Sequence, residues 1–154
     1  MSSEGELHKR SFIITGTQTG RLPQLTGKHY TTVEEYYPEE NSVISRGSIR
    51  ASSESMTHGT IYDLDESVRF VFHAHSSRLW ENSERLGIPI TKKDIEYGTP
   101  EMAREVERLF EETDVRERGI FSMGGHEDGI ISLGSAADKA GIKMLRYLDY
   151  AMCI

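Results

Sequence analysis

One short apolar run, residues 68–72, leads directly into His73-Ala74-His75. The run is rich in β-branched and aromatic side chains, which is typical of a strand. Side chains alternate between the two faces of a strand, so His73 and His75 leave it in the same direction, roughly 6.5 Å apart along the chain. Two imidazoles in that arrangement can converge on one cation. A metal site is therefore the first functional hypothesis for this sequence.

The remaining apolar positions predict further short strands separated by turns. These strands are expected at residues 12–15, 30–33, 43–44, 119–123 and 129–133. A Gly/Thr-rich turn follows the first strand, an acidic loop covers residues 38–41, and a glycine-rich turn around His126 separates the last two strands. Hairpin-like pairs of this kind indicate an α/β fold with a mixed or antiparallel sheet and helices packed on it.

Helix start signals occur between these strands. Ser52-Ser53-Glu54 is expected to open one helix, with a serine as its N-cap, and residues 76–86 form a second helical stretch. Thr99-Pro100-Glu101 combines an N-cap, a first-turn proline and an acid at the positive dipole end. Ser135 and Asp138 have the spacing of a capping box for a last helix. That helix is expected to face inward with Ala137, Ala140, Met144, Leu145, Leu148 and Met152.

Composition and charge limit the function classes. A chain of 154 residues predicts one domain, residues 1–154, with residues 1–10 as a polar, flexible leader and no secretory signal. The net charge of −7 and scattered basic residues argue against nucleic-acid binding. No apolar stretch approaches the roughly 20 residues of a membrane helix. A lone Cys153 fits a reducing compartment, so a cytoplasmic protein is expected.

Two further side chains can complete a zinc site beside the His-x-His pair. Zinc takes about four ligands drawn from His, Cys and carboxylates. His126 is a candidate third ligand, and Glu54 is a candidate carboxylate. Simpler interpretations stay open: a structural histidine pair, a solvated turn histidine and a helix-start acid. Of the other histidines, His58 is interpreted as a packed or surface helix residue, and His8 and His29 are interpreted as solvated.

The conjunction of these motifs resembles a known family. Residues 51–62, followed by residues 68–76, resemble the core of the class II aldolase/adducin-type domain. That core consists of Ser-Ser-Glu, a helix that carries a His and a Tyr, and an apolar strand that ends in His-x-His. The order of Ile88-Pro89, Gly98-Thr99 and Gly125-His126 is similar to that of the family, and residues 14–20 are similar to its Thr-x-x-Gly turn. The resemblance extends from about Phe12 to Ala151.

What the resemblance implies is concrete. It implies a three-layer αβα fold with a central, mainly antiparallel sheet. It also implies reversible aldol cleavage or epimerisation of a small, phosphorylated carbonyl compound, through an enediolate that a divalent cation stabilises as a Lewis acid. The implied ligands of the cation, usually zinc, are Glu54, His73, His75 and His126, and Glu54 is also the acid/base. The implied phosphate-binding residues are Ser52, Ser53, Thr19 and Gly20, with a helix N-terminus at the two serines suited to an anion. A homo-oligomer, usually a tetramer, is expected on the same ground.

The sequence also departs from the family. The Gly-Asn-x-Ser loop, the C-terminal tail and a full-length segment at residues 76–98 are missing, Tyr97 does not fall at the place of the family's active-site tyrosine, and Glu127-Asp128 adds negative charge after His126. These losses favour the main alternative, a non-catalytic metal-binding or assembly module of the adducin type. A metallohydrolase barrel with His-x-His is a third possibility, but such barrels need about 250 residues.

Overall fold

Two separate antiparallel sheets, each with three strands, form the framework of the part of the chain that the structure describes, residues 10–154 of a computed structural model. The first sheet has the order β1-β2-β3, and the second has the order β4-β6-β5. Their strands are β1 (Phe12–Thr15), β2 (Tyr30–Tyr37), β3 (Ser42–Gly47), β4 (Phe70–His75), β5 (Ile120–Ser122) and β6 (Gly129–Gly134). The predicted mixture of helices with antiparallel strands is confirmed. Residues 1–9 of the leader expected at residues 1–10 lie outside the described residues.

The strand predictions differ from the structure mainly in length. β1 is confirmed at its predicted bounds, whereas β2 continues four residues beyond the predicted end at Val33. β3 is also longer, and the acidic loop between them contains a short 3-10 turn, Pro38–Glu40. The register shifts between Val33 and Glu35 where β2 pairs with β3. Such an irregularity interrupts the alternation of apolar and polar residues, which explains the short prediction.

Five α-helices pack on the sheets within the described residues. They are α1 (Ser55–Leu64), α2 (Ser77–Glu81), α3 (Pro100–Glu112), α4 (Val115–Arg118) and α5 (Ala137–Met152). Thr99 caps α3 as predicted, with its hydroxyl oxygen accepting a hydrogen bond from the Met102 amide at 3.2 Å. The second predicted helix is shorter than expected, because regular helix ends at Glu81 and turns continue to Gly87.

Two predicted helix caps are wrong. α5 begins after Ala136, which offers no side-chain cap, and the Ser135 hydroxyl instead accepts a hydrogen bond from the Lys139 ammonium. α1 begins after Glu54, whose side chain makes no capping hydrogen bond either. Ser52 instead stabilises the turn that precedes α1. Its hydroxyl oxygen accepts a hydrogen bond from the Glu54 amide, and its carbonyl oxygen accepts hydrogen bonds from the Ser55 amide and hydroxyl.

Helices cover both faces of the second sheet. Neighbouring residues on β6 point in opposite directions, and Ile131 packs in a cluster with Ile61 of α1 and Val106 of α3. Ile130 packs on the other side with Leu79 of α2 and Ala151 of α5. The sheet that carries His73 and His75 is therefore supported from both sides, which fixes the end of β4 in place.

The inward face of α5 is narrower than predicted. Ala140 is buried, and Met144 and Leu148 pack against the core, as expected. Ala137, Leu145 and Met152 are exposed instead, and Tyr147 and Ala151 face inward. A hydrophobic stripe read from sequence includes every apolar residue near the face, whereas only a narrow strip of α5 reaches the sheet. Among residues 10–154, no helix is both long enough and apolar enough to cross a membrane.

Candidate metal centre

His73 and His75 stand at the end of β4, where the strand holds them beside each other. β4 pairs with β6 along its whole length, and the two histidines lie opposite Ile131 and Gly129. Their ring centroids are 4.9 Å apart, with the rings tilted by 41°. The alternation of side chains along the strand thus brings both imidazoles to one side, as the sequence predicts.

His126 completes a triangle of imidazoles from the turn between β5 and β6. Backbone hydrogen bonds from His126 to Met123 and from Gly129 to His126, of 3.1 and 2.8 Å, define that turn. The His126 ring centroid lies 5.0 Å from that of His73 and 4.7 Å from that of His75. One nitrogen from each of the three rings can be chosen so that all three lie within 4.8 Å of one another. Imidazoles at that spacing can share one cation.

Glu54 reaches the same place from the start of α1. Its Oε1 atom lies 3.6 Å from Nδ1 of His126, and the residue is only 2% exposed. The structure thus brings together all four side chains that the family resemblance implies as metal ligands. They come from three separate elements of the fold: the residue before α1, the end of β4 and the β5–β6 turn.

Several donor atoms at this centre are buried without a hydrogen-bond partner. Both carboxylate oxygens of Glu54, Nε2 of His73 and Nδ1 of His126 are in this condition. Buried polar groups are nearly always hydrogen-bonded, because an unsatisfied one costs about 1–3 kcal/mol. Carboxylate oxygens and imidazole nitrogens are also the ligands that zinc prefers. The three imidazoles, with nitrogens within 4.8 Å of one another, therefore fit a divalent cation, and the Glu54 carboxylate lies beside them as a further oxygen donor.

Burial sets the protonation of these groups. Burial raises the pKa of the Glu54 carboxyl to about 7, and the Thr57 side chain only partly offsets that rise. Burial, and then the neighbouring imidazoles of His126 and His75, lowers the pKa of His73 to about 3. Burial and His75 lower the pKa of His126 to about 4. His73 and His126 are thus neutral at pH 7, the state in which imidazole binds a metal.

A cleft of about 1100 Å³ opens onto the four side chains. The residues expected to bind phosphate also line it; they are Thr19, Gly20, Ser52 and Ser53. Ser53 is exposed, and the space beside Gly20 is open, so both can meet a ligand. The buried Thr19 hydroxyl donates a hydrogen bond of 2.9 Å to the Gly16 carbonyl.

The amide groups near the two serines are less available than expected. The Ser52 amide donates to the Thr15 carbonyl at 3.3 Å, and the Glu54 amide donates to the Ser52 hydroxyl at 3.2 Å. The expectation that the helix start at the two serines suits an anion is therefore wrong for the Ser52 amide, which is already paired. The Ser53 side chain is the more accessible contact at this end of the cleft.

The other histidines that the structure describes, His29 and His58, lie outside the triangle. His58 is a packed helix histidine, as one interpretation of the sequence had it, and burial lowers its pKa to about 4. His29 was expected to be solvated but is half-buried, and its Nδ1 accepts a hydrogen bond from the Thr26 amide at 2.9 Å. His8 lies outside the described residues.

Tyr97 is the site residue that the sequence did not reveal. Its ring stacks on the His126 imidazole with centroids 4.0 Å apart and an angle of 22°. It also lines the cleft beside the four candidate ligands. No local pattern predicts this contact, since the two residues are far apart in sequence and a loop rather than a regular element carries Tyr97.

Neither a model of a known protein family nor a curated protein sequence matches this chain.

Proposed function

We propose that this chain is a metal-dependent lyase or epimerase of the class II aldolase type, with Zn²⁺ or another divalent cation as its cofactor. The substrate is a small sugar phosphate or a related hydroxy-carbonyl compound, and the reaction is reversible aldol cleavage or epimerisation. One observation carries the proposal: Glu54 and three histidines converge in a cleft with buried, unpaired donor atoms. The motif resemblance supplies the reaction class, and helices on both faces of the second sheet fit the three-layer αβα arrangement of that family.

The three imidazoles and Glu54 would hold the cation. When bound, the cation supplies a Lewis acid for the negative charge that develops on the substrate oxygens. His73 and His75 are fixed by β4, and His126 is fixed by its hydrogen-bonded turn. The protein therefore presents a preorganised set of neutral nitrogen donors, which costs little reorganisation when the ion binds.

Glu54 is the acid/base of the proposed reaction. A general base works best when its pKa is near the working pH, and in the metal-free chain burial raises the pKa of this carboxyl to about 7. Glu54 would act as acid/base once substrate displaces it from the cation. Its two oxygens make no well-formed hydrogen bond among the described residues, and only the Thr57 side chain offsets the rise in its pKa, so the carboxylate is available to accept a proton from substrate and return it. No other carboxylate occurs among the residues described as lining the cleft.

The part of the cleft that Ser53 and Gly20 line would receive the substrate's phosphate group. Ser53 and Gly20 offer accessible polar contacts there, and Ser52 and Thr19 support them through the hydrogen bonds described above. A homo-oligomer, usually a tetramer in the family, is part of the same proposal. Exposed apolar side chains on α5, among them Ile142 and Leu145, fit a surface of that kind. Light scattering that shows a monomer would contradict that part.

The alternative is a metal-binding or assembly module without catalysis. The paired amides of Ser52 and Glu54 favour it, because they weaken the anion site that a phosphorylated substrate needs. Both hypotheses include the metal centre. They differ in whether the protein turns over a substrate with Glu54 as acid/base.

Metal content tests the centre that both hypotheses share. The wild-type chain should hold about one divalent ion per chain, as measured by elemental analysis after dialysis. His73→Ala should remove most of that ion, since it deletes one of the converging nitrogens. His29→Ala is the matched control and should retain it. Equal metal content in the two variants would contradict the site.

Turnover separates an enzyme from a module. Glu54→Gln keeps the shape of the side chain but cannot move a proton, so turnover should fall by about 10²–10⁴-fold. The assay is aldol cleavage and epimerisation across a panel of sugar phosphates. Glu105→Gln, which changes another buried glutamate away from the cleft, should retain activity in folded protein. If wild type shows no turnover on the whole panel, the module hypothesis is favoured.

A further inference from the structure

The segment between residues 91 and 99 touches both sides of the candidate metal centre. At one end, the Thr91 hydroxyl accepts a hydrogen bond of 2.9 Å from the Gly124 amide, next to the His126 turn. At the other end, Gly98 lies against Ser53, the residue before Glu54, and a Cβ added to Gly98 would lie 3.3 Å from the Ser53 carbonyl oxygen. One loop is thus packed against the segments that carry the carboxylate and the third imidazole.

Glycines permit this close approach. Any side chain at Gly124 would meet the Thr91 carbonyl, and any side chain at Gly125 would meet the Ile95 carbonyl. Gly98 has φ of +68°, a conformation that residues with a Cβ rarely adopt. The loop therefore lies close against the β5–β6 turn, and in this position the Tyr97 ring stacks on the His126 imidazole.

No hydrogen bond to another described residue holds either ring nitrogen of His126. Metal-binding histidines are usually oriented by a hydrogen bond from the ring nitrogen that does not bind the metal. Here the His126 ring has the Tyr97 stack at 4.0 Å on its face and the Glu54 carboxylate at 3.6 Å from its Nδ1. A flat aromatic contact restrains rotation of the imidazole in the way that a hydrogen bond does elsewhere.

We propose that Tyr97 is a positioning residue that orients the His126 imidazole for metal binding, and that the 91–99 segment holds Tyr97 in place for this purpose. This inference rests on the proposed metal centre. It assigns Tyr97 no contact with the reacting atoms. The aromatic ring, rather than the hydroxyl, carries the effect.

Cobalt binding tests the proposal without any activity assay. Co²⁺ is titrated into metal-free protein, and its visible absorption spectrum reports both affinity and ligand geometry. Tyr97→Leu should weaken Co²⁺ binding by about 10–100-fold, the usual effect of losing a group that orients a metal ligand. Its spectrum should also change. Tyr97→Phe keeps the ring and should retain wild-type affinity and spectrum.

The matched control is Tyr150→Leu, because Tyr150 is a similarly exposed tyrosine, 53% against 46% for Tyr97, on α5 and not among the residues that line the cleft. It should leave Co²⁺ binding unchanged. Thermal unfolding of each metal-free variant checks the fold. Tyr97→Leu should unfold at nearly the wild-type temperature, since Tyr97 is 46% exposed and is not part of a hydrophobic core cluster.

A second measurement reads the stack in metal-free protein. The His126 ring protons lie over an aromatic face, so their NMR signals should be shifted upfield in wild type and in Tyr97→Phe. That shift should disappear in Tyr97→Leu. If wild type binds Co²⁺ and Tyr97→Leu binds it equally well, the positioning role is overturned while the metal centre stands. If wild type binds no Co²⁺, the metal centre itself is overturned.

Discussion

Glu54 and Glu105 are both buried glutamates, at 2% and 4% exposure, yet their surroundings differ in kind. Glu105 on α3 accepts hydrogen bonds from the Arg108 guanidinium and from the Lys92 amide, and the Lys92 ammonium lies 3.3 Å away. These contacts, led by Arg108, lower its pKa to about 2. Glu54 has no cation against it among the described residues, and burial raises its pKa to about 7. A carboxylate that serves the fold is paired, whereas Glu54 is not.

The difference shows which glutamate is a candidate for chemistry. Pairing Glu105 offsets the cost of its burial, so it needs no ligand to explain it. Burying Glu54 without a charged partner destabilises the metal-free chain at neutral pH. Destabilising groups of this kind are concentrated at functional sites. Strongly shifted pKa values alone do not separate the two residues, since both are shifted. The direction of the shift and the partners that cause it do.

The pH dependence of stability is the sharpest test of this contrast. Because the pKa of Glu54 is raised in the folded state, its protonated form favours folding, and this contribution is present below pH 4.5 and lost as pH rises through about 7. A shift of this size is worth about 3 kcal/mol. Glu54→Gln cannot ionise and should not show the loss. Urea unfolding of metal-free wild type and Glu54→Gln between pH 4.5 and 8 measures the difference.

The stability of Glu54→Gln must be subtracted from that of wild type at each pH, because His73 and His126 also titrate. Their pKa values are lowered in the folded state, so they contribute the opposite trend: stability falls as pH drops below about 6.5. Both histidines are present in wild type and in the variant, so their contribution largely cancels. Equal pH profiles for the two proteins would show that Glu54 is paired in solution.

Glu105→Gln should behave in the reverse way, with a smaller effect. It removes the charge that the Arg108 guanidinium binds, which should lower the free energy of unfolding by about 1–3 kcal/mol at pH 7. Because the pKa of Glu105 is lowered, this stabilisation is present above pH 4.5 and fades as pH falls towards about 2. Urea unfolding at pH 7 and at pH 3 checks both statements. A variant as stable as wild type at pH 7 would remove the contrast.

The sequence predicted the centre better than its surroundings. The two histidines on β4 follow from strand alternation alone, since their spacing is local. Glu54 and His126 were candidates among open alternatives on residue type alone, and the family resemblance singled them out, because no local rule says that a helix start and a distant turn meet. Tyr97 was missed for the same reason: its contact depends on close packing of the 91–99 segment against Gly124 and Gly125.

Helix caps and strand ends show the same limit. Thr99 was predicted correctly as the N-cap of α3, because the proline and the acid that follow it also favour a helix start at this position. Ser135 had the spacing of a capping box, but α5 starts at Ala137, where it packs on β6. Tertiary packing decides such positions when local signals are weak. β2 was underestimated because its irregularity after Val33 interrupts the period on which the prediction depends.

Lys92 offers the smallest and most discriminating test of how Glu105 is held. The Lys92 side chain is 60% exposed, so Lys92→Ala should lower the free energy of unfolding by less than about 1 kcal/mol. The Lys92 amide, which donates to Glu105 at 2.9 Å, is retained in that variant. Arg108 is only 27% exposed and bonds both carboxylate oxygens, so Arg108→Ala should cost more. Urea unfolding of the two single variants ranks the partners. A larger loss from Lys92→Ala would mean that the exposed ammonium, rather than the guanidinium, compensates the buried charge.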